Sequence, residues 1–153
     1  MDRSFYEELV QKARAEGIVR YVVGAVVPKE NDEDVLLLKR KPEDFMGGIY
    51  ELPGGEVDEG ETIEAAVFRE TMEETGLKGK NIRAYLGHFD YLSGSGKPTR
   101  QFNFIVTIDP PFTITLQEHS DHAWVRRETT AQYQVTDSVK QVLESFWRRD
   151  FQQ

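Results

Sequence analysis

Residues 52–77 read LPGGEVDEGETIEAAVFRETMEETGL, a Pro-Gly-Gly step followed by a stretch that carries Glu70, Glu73 and Glu74 close together. Thr62–Thr75 is rich in helix formers and stops at Gly76, a residue suited to a left-handed helix end, so the spacing predicts a helix there. On that helix the i, i+3, i+4 arrangement puts the three carboxylates on one face. They stand near the negative end of the helix dipole, where each is mildly destabilising, and they repel one another. The window Glu51–Gly76 holds nine acidic residues and one base, Arg69, in a chain with 27 acidic and 19 basic residues. The rest of the chain therefore balances at 18 of each sign, and the whole net charge of −8 sits in this window. Something positive has to offset it.

Two readings of the helix stand side by side. In the first it is a solvated acidic face with Arg69–Glu73 as an i, i+4 ion pair. In the second the carboxylates hold a divalent cation, because hard oxygen ligands suit Mg²⁺ or Mn²⁺, which keep waters and also bind substrate phosphates. The helical wheel offers two apolar stripes, Ile63–Ala66–Val67 in line with the acids and Ala65–Phe68–Met72 on the other side, and does not choose the core side.

The whole chain of 153 residues has the length of one domain, expected to span 1–153. Ser4 with Glu7 forms a capping-box pattern and Gly17 a stop, which predicts an N-terminal helix within residues 1–17. Its stripe Phe5, Leu9 and Ala13 either covers a sheet or meets a second copy of the chain as a homodimer. Strands are expected at Ile18–Val27, Val35–Leu38, Ile82–Leu92, Arg100–Ile108, Phe112–Leu116 and His122–Val125. Phe102, Phe104, Val106 and Ile108 alternate onto one face. Phe45–Gly55, with five Gly or Pro residues, is expected to be irregular. Thr136–Asp150 is expected to be a helix capped by Thr136, with Val139, Val142, Leu143, Phe146 and Trp147 buried. Strands outnumber helices, so the fold class is α/β or α+β, a sheet covered by helices.

At every specified position but one, the acidic stretch is similar to the Nudix box, G-x5-E-x7-R-E-U-x-E-E-x-G-U, with U a bulky aliphatic residue. Gly55, Glu61, Arg69, Glu70, Glu73, Glu74, Gly76 and Leu77 match, and Thr71 stands where the first aliphatic residue is expected. Thr71 has the size of a valine, and its hydroxyl can bond back to a helix carbonyl. GIYELPGG (48–55) resembles the family's G-x-W-x-x-P-G-G lead-in with Tyr50 in the Trp place, and LLLKR (36–40) resembles the strand before it. The resemblance covers most of the chain from about Ile18 onward, with the box at 55–77. It implies an α/β/α sandwich around a mixed β-sheet, and hydrolysis of a nucleoside diphosphate linked to a further group.

The resemblance also implies site roles. Glu70 and Glu74 would be direct Mg²⁺ ligands (Mn²⁺ as an alternative), Glu73 a further one, with the Gly55 carbonyl completing the set. Arg69 would orient the glutamates, and Glu61 would act electrostatically or through a water. The general base is Glu70 or Glu118, the latter from EHSDHAW (118–124), which is similar to a later family loop with Glu-x5-Trp spacing. Arg40 is a candidate phosphate contact, and Phe45, Tyr50 and Phe102 are candidate base-stacking residues. His119 and His122 are expected at the surface, His88 as a strand residue and Trp124 in the core.

Other chemistries find no footing. The sequence has no cysteine, which removes thiolate sites and fits a reducing, cytoplasmic location. The first residues lack a signal-peptide pattern, and no apolar run is long enough for a membrane span. An acidic chain lacks the basic footprint for long nucleic acid. SGSGKP (93–98) is not a phosphate loop, and neither G-x-S-x-G nor H-E-x-x-H occurs. Among Nudix subgroups, the NADH-type array SQPWPFPxS is absent and LLLKRKPEDF lacks the second arginine of the CoA motif. Pro98 comes too late for the ADP-ribose proline, and Tyr91 slightly early for the diadenosine-polyphosphate tyrosine. What remains is the MutT-like group, which converts (deoxy)nucleoside triphosphates to monophosphate and pyrophosphate. The alternatives are an ADP-ribose or other nucleoside-diphosphate hydrolase, and a Nudix module that senses a nucleotide without cleaving it.

Overall fold

The computed structural model describes residues 1–152. In chain order it contains α1 (Arg3–Ala15), β1 (Arg20–Val26), β2 (Val35–Arg40), β3 (Tyr50–Glu51), β4 (Gly54–Glu56), α2 (Ile63–Thr75), β5 (Gly79–Leu92), β6 (Pro98–Ile108), β7 (His119–Val125), a 3₁₀ turn (Arg127–Gln132) and α3 (Asp137–Trp147). One sheet is mixed, in the order β4-β1-β6-β5, with β1 parallel to β6 and antiparallel to β4. The second, β3-β2-β7, is antiparallel.

Side-chain alternation along the strands divides the apolar residues between two cores. Val23 and Ala25 of β1 and Phe102, Phe104, Val106 and Ile108 of β6 join α1 and α2 in one core. Val26 and Ile105 point the other way, to α3. β2 feeds both, with Leu36 and Leu38 in the first core and Val35 and Leu37 in the second. Helices therefore cover both sides of a mixed sheet, the α/β/α sandwich that the resemblance implies. The α1 stripe covers the sheet: Ala13 is fully buried, Phe5 packs edge-on to Tyr85, and Tyr6 lies against Phe104.

Four local readings change. The cap of α1 is Asp2, whose Oδ1 accepts from the Phe5 amide at 3.2 Å and from the Ser4 hydroxyl at 2.8 Å. Glu7 bonds Arg3 instead of closing a box. Phe45–Gly55 is not wholly irregular, because its end forms β3 and β4, which pair with β2 and β1. Glycine makes the second pairing fit, since a Cβ on Gly54 would collide with the Val23 carbonyl. Phe112–Leu116 is not a strand. Phe112, Ile114 and Leu116 do turn to the first core, but the segment joins no ladder, so burial alone produced the alternation. β7 begins at His119 and not at His122, with a register shift opposite Lys39 and Arg40.

Phe104 is fully buried between Tyr6 and Tyr85. Phe104→Ala is expected to destabilise the fold by about 3–5 kcal/mol, read as a lower urea midpoint.

Candidate active site

Helix α2 begins at Thr62, whose side chain accepts from the Ala65 amide, and ends at Gly76 in the left-handed conformation. Its buried residues are Ile63, Ala66, Val67, Thr71 and Thr75. The stripe in line with the acids is thus the core side, and the chain of apolar contacts runs directly into Glu70 and Glu74, which retain only 13% and 11% of their side-chain exposure. Glu73, on the flank, is 57% exposed. Thr71 fills the aliphatic position with its methyl in the core and its hydroxyl donating to the Val67 carbonyl at 2.7 Å.

Arg69 gathers this region. Its Nε and Nη2 grip both oxygens of Glu61 at 2.7 and 2.8 Å, Nη1 reaches Glu70 at 2.8 Å and Glu73 at 3.2 Å, and Nη2 also donates to the Glu56 carbonyl at 2.9 Å. Charge-assisted bonds of this kind are worth roughly 1.5–3 kcal/mol each, against a dipole penalty of about 0.3–1 kcal/mol per carboxylate. For Glu70 the arginine wins. The hydrogen bond from Arg69 holds Glu61 below the usual carboxylate pKa. Burial raises Glu70 even so, with Arg69 opposing.

Glu74 receives no such cation. Its Oε1 accepts from the Gly54 amide at 2.7 Å, and burial, opposed by that bond, pushes its pKa up to about 7. Gly55 lies against the Glu70 carboxylate, so that a Cβ there would sit 2.5–2.6 Å from it. Two dehydrated carboxylates beside a glycine backbone are a donor set of hard oxygens, which suits Mg²⁺ or Mn²⁺. Among the described residues no three His, Asp or Glu side chains form a closed cage. Mg²⁺ commonly takes one or two carboxylates and fills the rest of its shell with waters and phosphates, so Glu70, Glu74 and the Gly55 backbone fit it.

Next to these groups opens a cavity of about 910 Å³ lined by Arg40, Phe45, Tyr50, Gly55, Glu74 and Glu118 among others. Arg40 is half-buried and already partnered: it donates to the Phe45 carbonyl at 2.7 Å and to Glu51 at 3.3 Å. Phe45 is exposed at the cavity mouth, and Tyr50 is half-buried edge-on to Tyr133. Glu118 is exposed at the rim. Phe102 is not at the site. It is 1% exposed in the first core, stacked near Tyr21, and offers no face to a nucleobase.

His119 departs most from expectation. Its side chain is 5% exposed, Nε2 lies 2.8 Å from Glu51 Oε2, and Nδ1 is buried without a hydrogen-bond partner, 3.9 Å from Glu74 Oε2. Burial disfavours its charged form, but the Glu51 hydrogen bond and the Glu74 and Glu51 charges overcome this and raise its pKa. His122 is half-buried on β7, and His88 is an exposed strand residue beside the Tyr85 hydroxyl. Trp124 packs at the edge of the first core.

A family profile described as NUDIX domain matches residues 19–146. The chain belongs to the Nudix family. Its Nudix relatives include the CTP pyrophosphohydrolase of Escherichia coli K12, 30% identical over 127 residues, with 82% of this chain and 89% of that protein covered. The ADP-ribose pyrophosphatase of Methanocaldococcus jannaschii is 52% identical over 58 residues, but only 38% of this chain and a third of that protein (33%) are covered. Among solved structures, the MutT protein of Methanosarcina mazei Go1 superposes with a TM-score of 0.72 at 25% identity, covering 88% of this chain and 97% of that one. The family and its pyrophosphohydrolase relatives place the chain among hydrolases acting on phosphoric anhydrides. No described helix is long and apolar enough to cross a membrane.

The site leads to two expectations. Gly55→Ala should push the Glu70 carboxylate aside and lower Mg²⁺-dependent activity at least about tenfold, with the circular dichroism spectrum unchanged. Glu74 has a folded pKa of about 7 against a reference of 4.5, so its contribution to stability is present at low pH and lost as pH rises through 7. The melting temperature of the metal-free protein should therefore fall between about pH 5 and 8, and Glu74→Gln should flatten that slope.

Proposed function

We propose that this Nudix protein is a Mg²⁺-dependent, MutT-like pyrophosphohydrolase that converts a (deoxy)nucleoside triphosphate to the monophosphate and pyrophosphate. The observation that carries the reading is the pair of dehydrated carboxylates, Glu70 and Glu74, set against Gly54 and Gly55 at the edge of a cavity of nucleotide size. When bound, Mg²⁺ supplies neutralisation of phosphate charge and a more acidic water. Glu70, Glu74 and the Gly55 backbone would hold it, with Glu73 as an outer ligand. Arg69 keeps Glu70 in place. Water attacks phosphorus and the anhydride P–O bond breaks.

Glu70 and Glu118 are the two candidates for the group that takes the water's proton. Glu118 has the exposure to meet water at the cavity rim, and Glu70 has the pKa raised by burial. Arg40 is held at the cavity by Glu51 and is suited to a terminal phosphate. Support for the triphosphate substrate comes from the CTP pyrophosphohydrolase, whose match runs nearly end to end. The ADP-ribose pyrophosphatase match covers only 38% of this chain and 33% of that protein, so it speaks less for the substrate.

Phosphate release from a panel of nucleoside triphosphates, ADP-ribose and dinucleotides, with and without Mg²⁺, tests the reading. Turnover of a triphosphate to monophosphate and pyrophosphate is expected. Binding without any turnover would instead identify a sensing module, and preference for ADP-ribose would redirect the substrate. Glu74→Gln is expected to lose at least about 99% of activity while staying folded; near wild-type turnover would refute its role as a ligand.

A further inference from the structure

The wall of the cavity opposite α2 carries a polar device that catalysis leaves unused. β6 is apolar around Asn103, yet Asn103 is fully buried within it. Its Nδ2 donates to the carbonyls of Gly87 at 3.2 Å and Gln101 at 3.4 Å. The Gly87 carbonyl is free to accept because β5 slips register between Tyr85 and His88, and Gly87 takes a φ of +86° in that irregularity. Carbonyls only accept, so Asn103 must turn its NH₂ to them and its Oδ1 away. That oxygen accepts from Gln101 Nε2 at 2.9 Å. The Gln101 amide is thereby fixed in one orientation, with Oε1 and its second N–H left for the cavity that it lines. Gly24 makes room, since a Cβ there would collide with the Gln101 amide and lie 2.6 Å from Asn103 Oδ1.

We propose that Gln101 is the residue that reads the nucleobase of the substrate, using this fixed acceptor–donor pair, with Phe89 and Tyr91 of β5 as flanking aromatic surface in the same cavity. The chemistry selects a heterocycle that presents a donor beside an acceptor, as cytosine does with its amino group and N3. Gln101 lies on β6 and the Gly54–Gly55 pair on β4, with β1 between them. Two strand spacings, about 10 Å, separate base reader from phosphate site, a gap that a sugar can bridge. Position 101 is held too firmly to be a loose surface amide, and no backbone ladder needs its side chain.

This inference rests on the nucleotide reading above, and the experiment separates the two. Binding and Mg²⁺-dependent hydrolysis of CTP, GTP and a base-free ribose 5′-triphosphate are compared for wild type and Gln101→Met, a change that keeps length and volume while removing both hydrogen bonds. The variant is expected to raise KM for its preferred nucleotide on the order of ten- to a hundredfold, to leave kcat within about threefold, and to leave the base-free triphosphate unaffected. Gln101→Glu, an acceptor only, should show the same base-selective loss if the Met variant does not fold. Equal losses on base-bearing and base-free substrates, or no loss in either variant, would overturn the role of Gln101 while leaving the pyrophosphohydrolase intact. No binding of any triphosphate by the wild type would overturn both.

Discussion

The guanidinium of Arg69 organises the acidic corner of this molecule. It holds Glu61 through both oxygens, reaches Glu70 and Glu73, and ties them to the Glu56 carbonyl just after the glycine step. Without it, the last turns of α2 would combine mutual repulsion with an unfavourable dipole, and the Gly54–Glu56 strand would lose one of its links to the helix, the Gly54 amide still bonding Glu74. One base therefore lets a cluster of acids sit at a helix C-terminus and partly inside the protein. It does not neutralise them all. Glu74 is left with an amide and a distant imidazole, dehydrated and resistant to ionisation. A divalent cation is the natural complement to that residue of uncompensated charge.

The fold serves this arrangement by close backbone approach. Gly54 passes under the Val23 carbonyl, Gly55 lies on the Glu70 carboxylate, and Gly24 admits the Gln101–Asn103 pair. Each is a place where a side chain would separate two parts of the site. The cavity they leave lies between Glu74 of α2, the Arg40–Glu51–His119 chain and the polar wall of β6.

Much of this was legible in the sequence because local patterns and tertiary demands coincide. The Thr62–Thr75 helix, the Gly76 stop and the alternation of Phe102, Phe104, Val106 and Ile108 all recur in the structure. What failed did so where burial depends on partners far along the chain. His119 reads as a loop residue until β7 is paired with β2, which carries it under Glu51. Phe102 lies on the core side of its strand, a side that alternation identified but that the aromatic character obscured. Phe112–Leu116 has a buried face but no strand beside it. Asn103, polar within FNFIV, was a visible signal of a buried amide, and its partner Gly87 became meaningful only with the irregularity in β5.

The central claim is that Glu70 and Glu74 together hold a divalent cation in the protein itself. Mn²⁺ titration followed by electron paramagnetic resonance, without nucleotide, measures it directly, since bound Mn²⁺ loses the sharp signal of the free ion. Saturable loss of the free signal in the wild type, abolished by the Glu70→Gln, Glu74→Gln double substitution in a folded protein, is the predicted result. Equal binding by the wild type and the double variant would contradict the claim.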